Sequence, residues 1–263
     1  MYLSAELIAL ANQQVQETFA QASVAWQAIP HWDTGDPGQT KIRQDLMWAT
    51  TAPPWVGASL TVKEESKSFN VSLAQATVAA PDALLAVVIS KTVELATAVD
   101  AFVIPKLYTA GKIQNIGPKT EDILAQLIIA RVSLENIGYR APGCLLVSTA
   151  ALTALNTLDG GYSVLEPLLT AANVNSLFRV DALDPAIPPT KLYALMLGRR
   201  QLIPHGGAAS ASAGEEPVDI AFSVLPSVEV VGEAASGNIE LAVRTRYAVR
   251  VKDARGVAIV HTK

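Results

Sequence analysis

The sequence predicts an α+β fold, and three observations lead to it. The apolar stretch from Pro81 to Gly111 is too long for a strand and reads as a buried helix. Apolar residues at helical spacing mark a helix before it, and the capping residues Thr120 and Ser148 mark two more after it. Beyond Glu216 the chain turns to β patterning, nearly strict between Ile239 and Val251.

Each element follows from local signals. Ser4 to Trp26 reads as a helix, with Leu7, Ile8, Leu10, Val15, Phe19 and Val24 near helical spacing, and Pro30 ends it. Asp36-Pro37-Gly38 marks a turn, and Pro53-Pro54 forbids regular structure nearby. Trp32, Trp48 and Trp55 fall in this poorly periodic region, which implies that it docks on something. Thr61 to Leu73 reads as a hairpin arm, with Val62, Phe69, Val71 and Leu73 as strand formers around the charged Lys63-Glu64-Glu65-Ser66-Lys67. The region reads as an extended arm packed on neighbouring subunits, or alternatively as an ordinary β lobe.

The long helix starts with Pro81 in its first turn and Asp82 complementing the dipole, and Pro105 closes or kinks it. Asp82 to Ile104 would span about 35 Å. A loop from Gly111 to Pro118 precedes a helix from Glu121 to Asn136, capped by Thr120 and ended by Gly138. Cys144 to Val147 reads as a buried strand, and Ser148 caps a helix from Thr149 to Leu158. Turns follow at Gly160-Gly161, Asp184-Pro185 and Pro188-Pro189, with a strand from Leu192 to Leu197. Gly206 to Glu216 reads as a flexible loop of small residues. In the long strand, Ile239, Leu241, Val243, Tyr247, Val249 and Val251 face one way, and Glu240, Arg244, Arg246, Arg250 and Lys252 face the other. Asp253 to Gly256 would turn the chain so that Val257 to His261 returns as its partner strand.

Composition bounds the function. Half of the 263 residues are hydrophobic and 17% are charged, below the usual quarter, so much of the surface is expected under other copies of the chain. A large, well-packed monomer is the alternative. A net charge of −4 argues against a counterion-releasing nucleic-acid binder. The lone Cys144 excludes an internal disulfide and reads as a buried structural thiol. No secretory signal is visible, and Lys91, Glu94 and Asp100 interrupt the long helix too often for a membrane span.

Catalytic signatures are missing: no GxGxxG, Walker A loop, GxSxG, HExxH or CxxC occurs. His31, His205 and His261 are widely separated, so neither a metal nor a cofactor is expected. His31, Asp33 and Asp36 could form a carboxylate–imidazole cluster, although turn and capping roles suit the aspartates better. His261 reads as a surface residue. The basic row Arg244, Arg246, Arg250 and Lys252 admits a solvated face, an intersubunit ion-pair row or a nucleic-acid contact.

The order of elements resembles the tailed-bacteriophage major capsid protein of the Hong Kong 97 type. FNVSLAQATVAAPDALLAVVISKTVELATAVDAFVI, with its ending Ala98-Val99-Asp100, is similar to that family's strand and spine helix. EDILAQLIIARVSLENIGYRAPGCLLVSTAALTAL resembles the axial-domain helix, turn, strand and helix, and YALMLGRRQLI and ELAVRTRYAVRVKDARGVAIVHT resemble the late strands. The resemblance implies an N-terminal arm (1–30), an extended loop region (31–75), a peripheral domain with the spine helix (76–119), an axial domain (120–207) and peripheral return strands (208–263). Trp32, Arg43, Trp48, Trp55, Lys63, Glu64, Glu65 and Lys67 would then meet neighbouring subunits. It further implies pentamers and hexamers in an icosahedral virion shell, assembled in the host bacterial cytoplasm around DNA that is held without sequence-specific contacts. A separate scaffolding protein, a portal and possible decoration proteins would be the partners, with no membrane and no catalysis. An encapsulin-type nanocompartment holding enzyme cargo is the alternative within this fold, and an α/β enzyme with a poorly marked site is the alternative outside it.

Overall fold

The structure, a computed structural model, describes residues 3–44, 58–72, 82–116, 121–156, 158–159, 162–184, 193–233 and 237–262. Expectations at Trp48, Trp55, Pro53-Pro54, Leu73, Pro81, Pro118, Thr120, Gly160-Gly161 and Pro188-Pro189 lie outside the described residues.

The Ser4 hydroxyl accepts the amide of Leu7 at 3.2 Å and opens α1 (Ala5–Ala22), which buries Ala11, Val15 and Phe19 along one face. The single helix expected from Ser4 to Trp26 is instead two. Ser23 takes an extended conformation and its hydroxyl accepts the amide of Trp26, starting α2 (Val24–Ala28). The break persists because Asp100 supplies acceptors to the freed amides, as described below.

The spine, α3 (Asp82–Ala110), runs through Pro105 and is 29 residues long. Proline costs one backbone hydrogen bond and crowds the preceding turn. Here its ring lies on the exposed face, while Val103, Ile104 and Leu107 on either side are fully buried. Their packing carries the helix past the point where the sequence suggested an end or kink.

Two main sheets flank this helix. The first has the order β1–β11–β12–β4, with β1 (His31–Asp33), β4 (Lys63–Ser72), β11 (Val218–Glu233) and β12 (Asn238–Val251). The hairpin expected within 61–73 is not formed. Residues 63–72 are one strand, antiparallel to β12, with Phe69 opposite Leu241 and Val71 opposite Ile239. The charged stretch stays extended because Glu64 lies directly opposite Arg246. A separate ribbon pairs β2 (Lys41–Gln44) with β3 (Ala58–Thr61).

The second sheet has the order β5–β13–β10–β6–β9, with β5 (Lys112–Ile116), β6 (Ala141–Val147), β9 (Val174–Arg179), β10 (Tyr193–Arg199) and β13 (Val257–Thr262). β13 therefore does not return beside β12. Asp253 caps a tight turn at Ala254–Gly256 and the chain crosses between the sheets. The reason is visible in side-chain burial. Val257, Ala258, Ile259 and Val260 are all buried, a run that suits a strand covered on both faces rather than one facing solvent. Val257 joins the core beneath α1 and α3, whereas Ala258 and Val260 join a second core with Ile123, Leu127 and Leu134 of α4 (Glu121–Glu135). Two short helices, α5 (Thr149–Leu155) and α6 (Leu165–Ala171), and a two-stranded ribbon, β7 (Leu158–Asp159) with β8 (Tyr162–Ser163), complete that side. The Ser148 hydroxyl caps α5 by accepting the amide of Ala151 at 3.2 Å, and α5 stops at Leu155, short of the expected Leu158.

Candidate assembly surfaces

The basic row of β12 is engaged within its own subunit. The Arg250 guanidinium donates to both Asp219 oxygens at 2.6 and 2.7 Å, and Lys252 Nζ lies 2.9 Å from the same carboxylate. Asp219 is fully buried, and the ion pairs repay part of its desolvation. Arg244 pairs with Glu229 at 2.6 Å, and Arg246 lies 3.7 Å from Glu64 while donating to the Pro37 carbonyl. A row neutralised in this way has little surplus charge with which to displace counterions from a nucleic acid. Within the subunit it is an ion-pair row.

The predicted interface residues distribute unevenly. Trp32 lies on β1, its indole N–H donating to Asp219 at 3.4 Å and its ring 4.8 Å from the Arg250 guanidinium carbon. That ring is engaged by its own chain. Arg43 is exposed on β2, and its carbonyl accepts from Arg250 at 3.4 Å. Lys63 pairs with Glu65 and stands 3.9 Å from the centre of the Phe102 ring. Glu64 serves Arg246, and Lys67 lies opposite Val243.

The other candidate cluster dissolves into local structure. The His31 ring stacks on Trp26 with centroids 3.6 Å apart, and burial lowers its basicity. Asp33 accepts from Gly35 at 2.8 Å and Asp36 from Gly38 at 2.9 Å, both of them turn roles. His261 is half-buried against Tyr193 rather than fully on the surface. Cys144 is completely buried, and its thiol is pushed up to about 12 by desolvation. Among the described residues, no group of three or more His, Cys, Asp or Glu could hold a metal ion, and no helix is long and apolar enough to cross a membrane.

Three structural residues escaped sequence reasoning. The Asp100 carboxylate on α3 accepts the Ser23 hydroxyl at 2.7 Å and the amides of Val24 and Ala25 at 2.8 and 3.0 Å, fastening α2 to the spine. Burial outweighs those donors and raises its pKa to about 6. Glu216, also buried, accepts the amides of Arg200 and Gln201. Together with Lys252, which donates to the Ala213 carbonyl, it holds down the loop expected to be flexible. The buried Arg199 donates to the carbonyls of Ala28 and Ile203, tying the end of β10 to α2. Asp100 alone carried a sequence signal, its isolation in the apolar run Ala98 to Val103, whereas Glu216 and Arg199 each sit beside a like charge, Glu215 and Arg200.

Several of the exposed side chains are apolar. Ile128, Ile129 and Val132 form an outward patch on α4, with Val132 48% exposed. Val230 and Val231 stand at the end of the β11–β12 hairpin, the latter 54% exposed. An open groove of about 580 Å³ lies between α3 and β12, lined by Leu60, Phe102, Pro105, Thr109, Val249 and Val251. Lys106 also lines it, 4.2 Å from the centre of the Phe102 ring, its basicity lowered by burial and by Lys63.

No family model matches the chain, and no curated protein matches it in sequence. Solved structures do match in fold. A virus-like particle from Pyrococcus furiosus aligns with 97% of this chain and 100% of its own at a TM-score of 0.69 and 12% identity. The mature capsid of bacteriophage PhiM1 aligns over 92% and 87% at 0.55 and 10% identity. The holo-SrpI encapsulin complex from Synechococcus elongatus PCC 7942 aligns over 91% and 87% at 0.56 and 12% identity. The chain has the Hong Kong 97-like capsid fold, with its mixed α+β architecture.

Proposed function

We propose that the chain is a major capsid protein of a tailed bacteriophage, self-assembling through pentamers and hexamers into an icosahedral shell around double-stranded DNA. The observation that carries this reading is agreement in fold with a virus-like particle subunit over 97% of this chain and 100% of that one. Exposed apolar patches on α4, on α3 and at the hairpin end support it, since neighbouring copies would cover them. In this reading the first sheet and the spine form the peripheral domain. The second sheet with α4 forms the axial domain, directed at the five-fold and six-fold centres. The ribbon β2–β3 is the root of an extended loop reaching over the next copy. Assembly takes place in the host cytoplasm with a separate scaffolding protein and a portal, and the shell performs no catalysis. The mildly acidic chain encloses DNA without gripping it, in keeping with the neutralised row on β12.

A second reading is an encapsulin-type nanocompartment, favoured by the shared fold with the SrpI complex. Negative-stain electron microscopy of the purified protein, produced with its neighbouring genes, should show closed particles of uniform diameter. Nuclease-protected DNA inside them supports the phage reading, and a co-purifying enzyme with no protected DNA supports the compartment. A monomer or dimer under all assembly conditions defeats both.

A further inference from the structure

We propose that the outer face formed by α1 and the first part of the spine α3 docks a basic amphipathic helix of another protein, with apolar side chains along one stripe and lysine or arginine beside them. The inference concerns the single subunit and holds whatever a shell would contain. Both helices are described from end to end. α1 packs along α3, and the Asp100 carboxylate, by accepting from Ser23 and Val24, fixes the end of α1 against the spine. Ile89 and Val93 stand about three and two turns before Asp100 on the same helix face, which is the side turned to α1. They nevertheless remain 38% and 44% exposed. On α1, Ala11, Val15 and Phe19 are buried, and Glu6, Leu10, Gln13 and Glu17 recur at helical spacing on the opposite side. Leu10 is itself 39% exposed, so the outer face carries an apolar strip of Leu10, Ile89 and Val93.

Charge selects the occupant. Residues 1–40 contain Glu6, Glu17, Asp33 and Asp36 and neither lysine nor arginine. Glu17 accepts from the Gln13 amide at 2.8 Å, and neither Glu6 nor Glu17 has an ion-pair partner among the described residues. Lys91, the one cation between Asp82 and Asp100, is tied to Glu94 at 2.7 Å. Apolar side chains framed by uncompensated carboxylates match a helix that lays an apolar stripe into the strip and sets cations over its rim. A nucleic acid would meet like charge here. A second copy of this chain brings little free cation, because Arg244, Arg246, Arg250 and Lys252 are paired within their own subunit.

The test titrates the full chain into three fluorescein-labelled probes, read by fluorescence anisotropy. They are a peptide of leucine and lysine at helical spacing, the same composition with its order scrambled, and a double-stranded DNA oligonucleotide. The patterned peptide should bind about tenfold more tightly than the scrambled one. Glu6→Gln with Glu17→Gln, and separately Leu10→Ser with Val93→Ser, should each weaken it about tenfold. Glu166→Gln with Glu215→Gln, which removes two exposed carboxylates elsewhere, should leave it unchanged. Circular dichroism melting checks that each variant is folded, and if the serine pair fails to fold, the glutamine pair decides. Equal binding of the two peptides, or equal weakening by the distant pair, overturns the proposal in favour of unspecific charge attraction. Variants of this face that lose self-association but keep the peptide assign it to a second copy, and DNA bound more tightly than the peptide assigns it to nucleic acid. Either outcome overturns the proposal.

Discussion

Asp219 sits at 0% exposure between Arg250 and Lys252, and its indole contact brings Trp32 into the same cluster. Asp219→Ala leaves two cations in a poorly solvated site with no counter-charge. Urea unfolding of the unassembled subunit should show a loss of about 3–5 kcal/mol. Asp100 makes a different prediction. It titrates near 6 in the fold, against 3.8 for the ordinary group, so the folded chain holds the proton more tightly than the unfolded one. Stability from this source grows as pH falls from about 6 towards 4 and is lost as pH rises through 6. Asp100→Asn removes the titration. Relative to the variant, the natural chain should gain on the order of 1–2 kcal/mol of stability on going from pH 7 to pH 5. A gap that is flat with pH would show that the carboxylate stays ionised throughout. The cations of β12 were legible in the sequence, but their partners were not. Which carboxylate meets Arg250 depends on a strand register that shifts at several points between Phe222 and Gly232, and side-chain alternation does not encode those shifts.

Among the elements, helices were the most legible. Ser148 caps where its spacing to the apolar run says it should, and the spine begins at Asp82. The errors arose where tertiary packing overrides a local signal. Pro105 is tolerated because its neighbours are buried, and Ser23 interrupts a helix because Asp100 waits across the core. β13 was assigned to the wrong sheet because a turn after a long strand normally makes a hairpin. Its unbroken apolar run was the clue to a two-sided environment. The crossing depends on Gly256, where a Cβ would lie 2.3 Å from Pro217 Cβ and 3.0 Å from the Tyr139 ring. Gly256→Ala should therefore destabilise the subunit by about 1–3 kcal/mol, seen as a lower urea midpoint at unchanged slope. A neutral effect would mean that the junction yields easily.

At the scale of the whole molecule, fold class followed from the order of elements, since a long helix, capped helices and a β-rich close admit few arrangements. The assembly surfaces were less legible. Trp32 serves its own subunit, while the exposed valines of the hairpin end looked like ordinary strand interior. A strand's burial cannot be read where the element it packs against stops short of it. The microscopy experiment belongs to this scale, because the proposed shell would cover apolar area that is open on several separate elements. The crossing at Gly256 has a consequence for synthesis. β13 is an interior strand, lying between β5 and β10. A polypeptide cut off anywhere before residue 257 lacks the rung that joins β5 to the rest of its sheet, and its second core stays open. Nascent or broken products of that kind leave Ala258 and Val260 out of the second core, so the fold closes only with the last few residues.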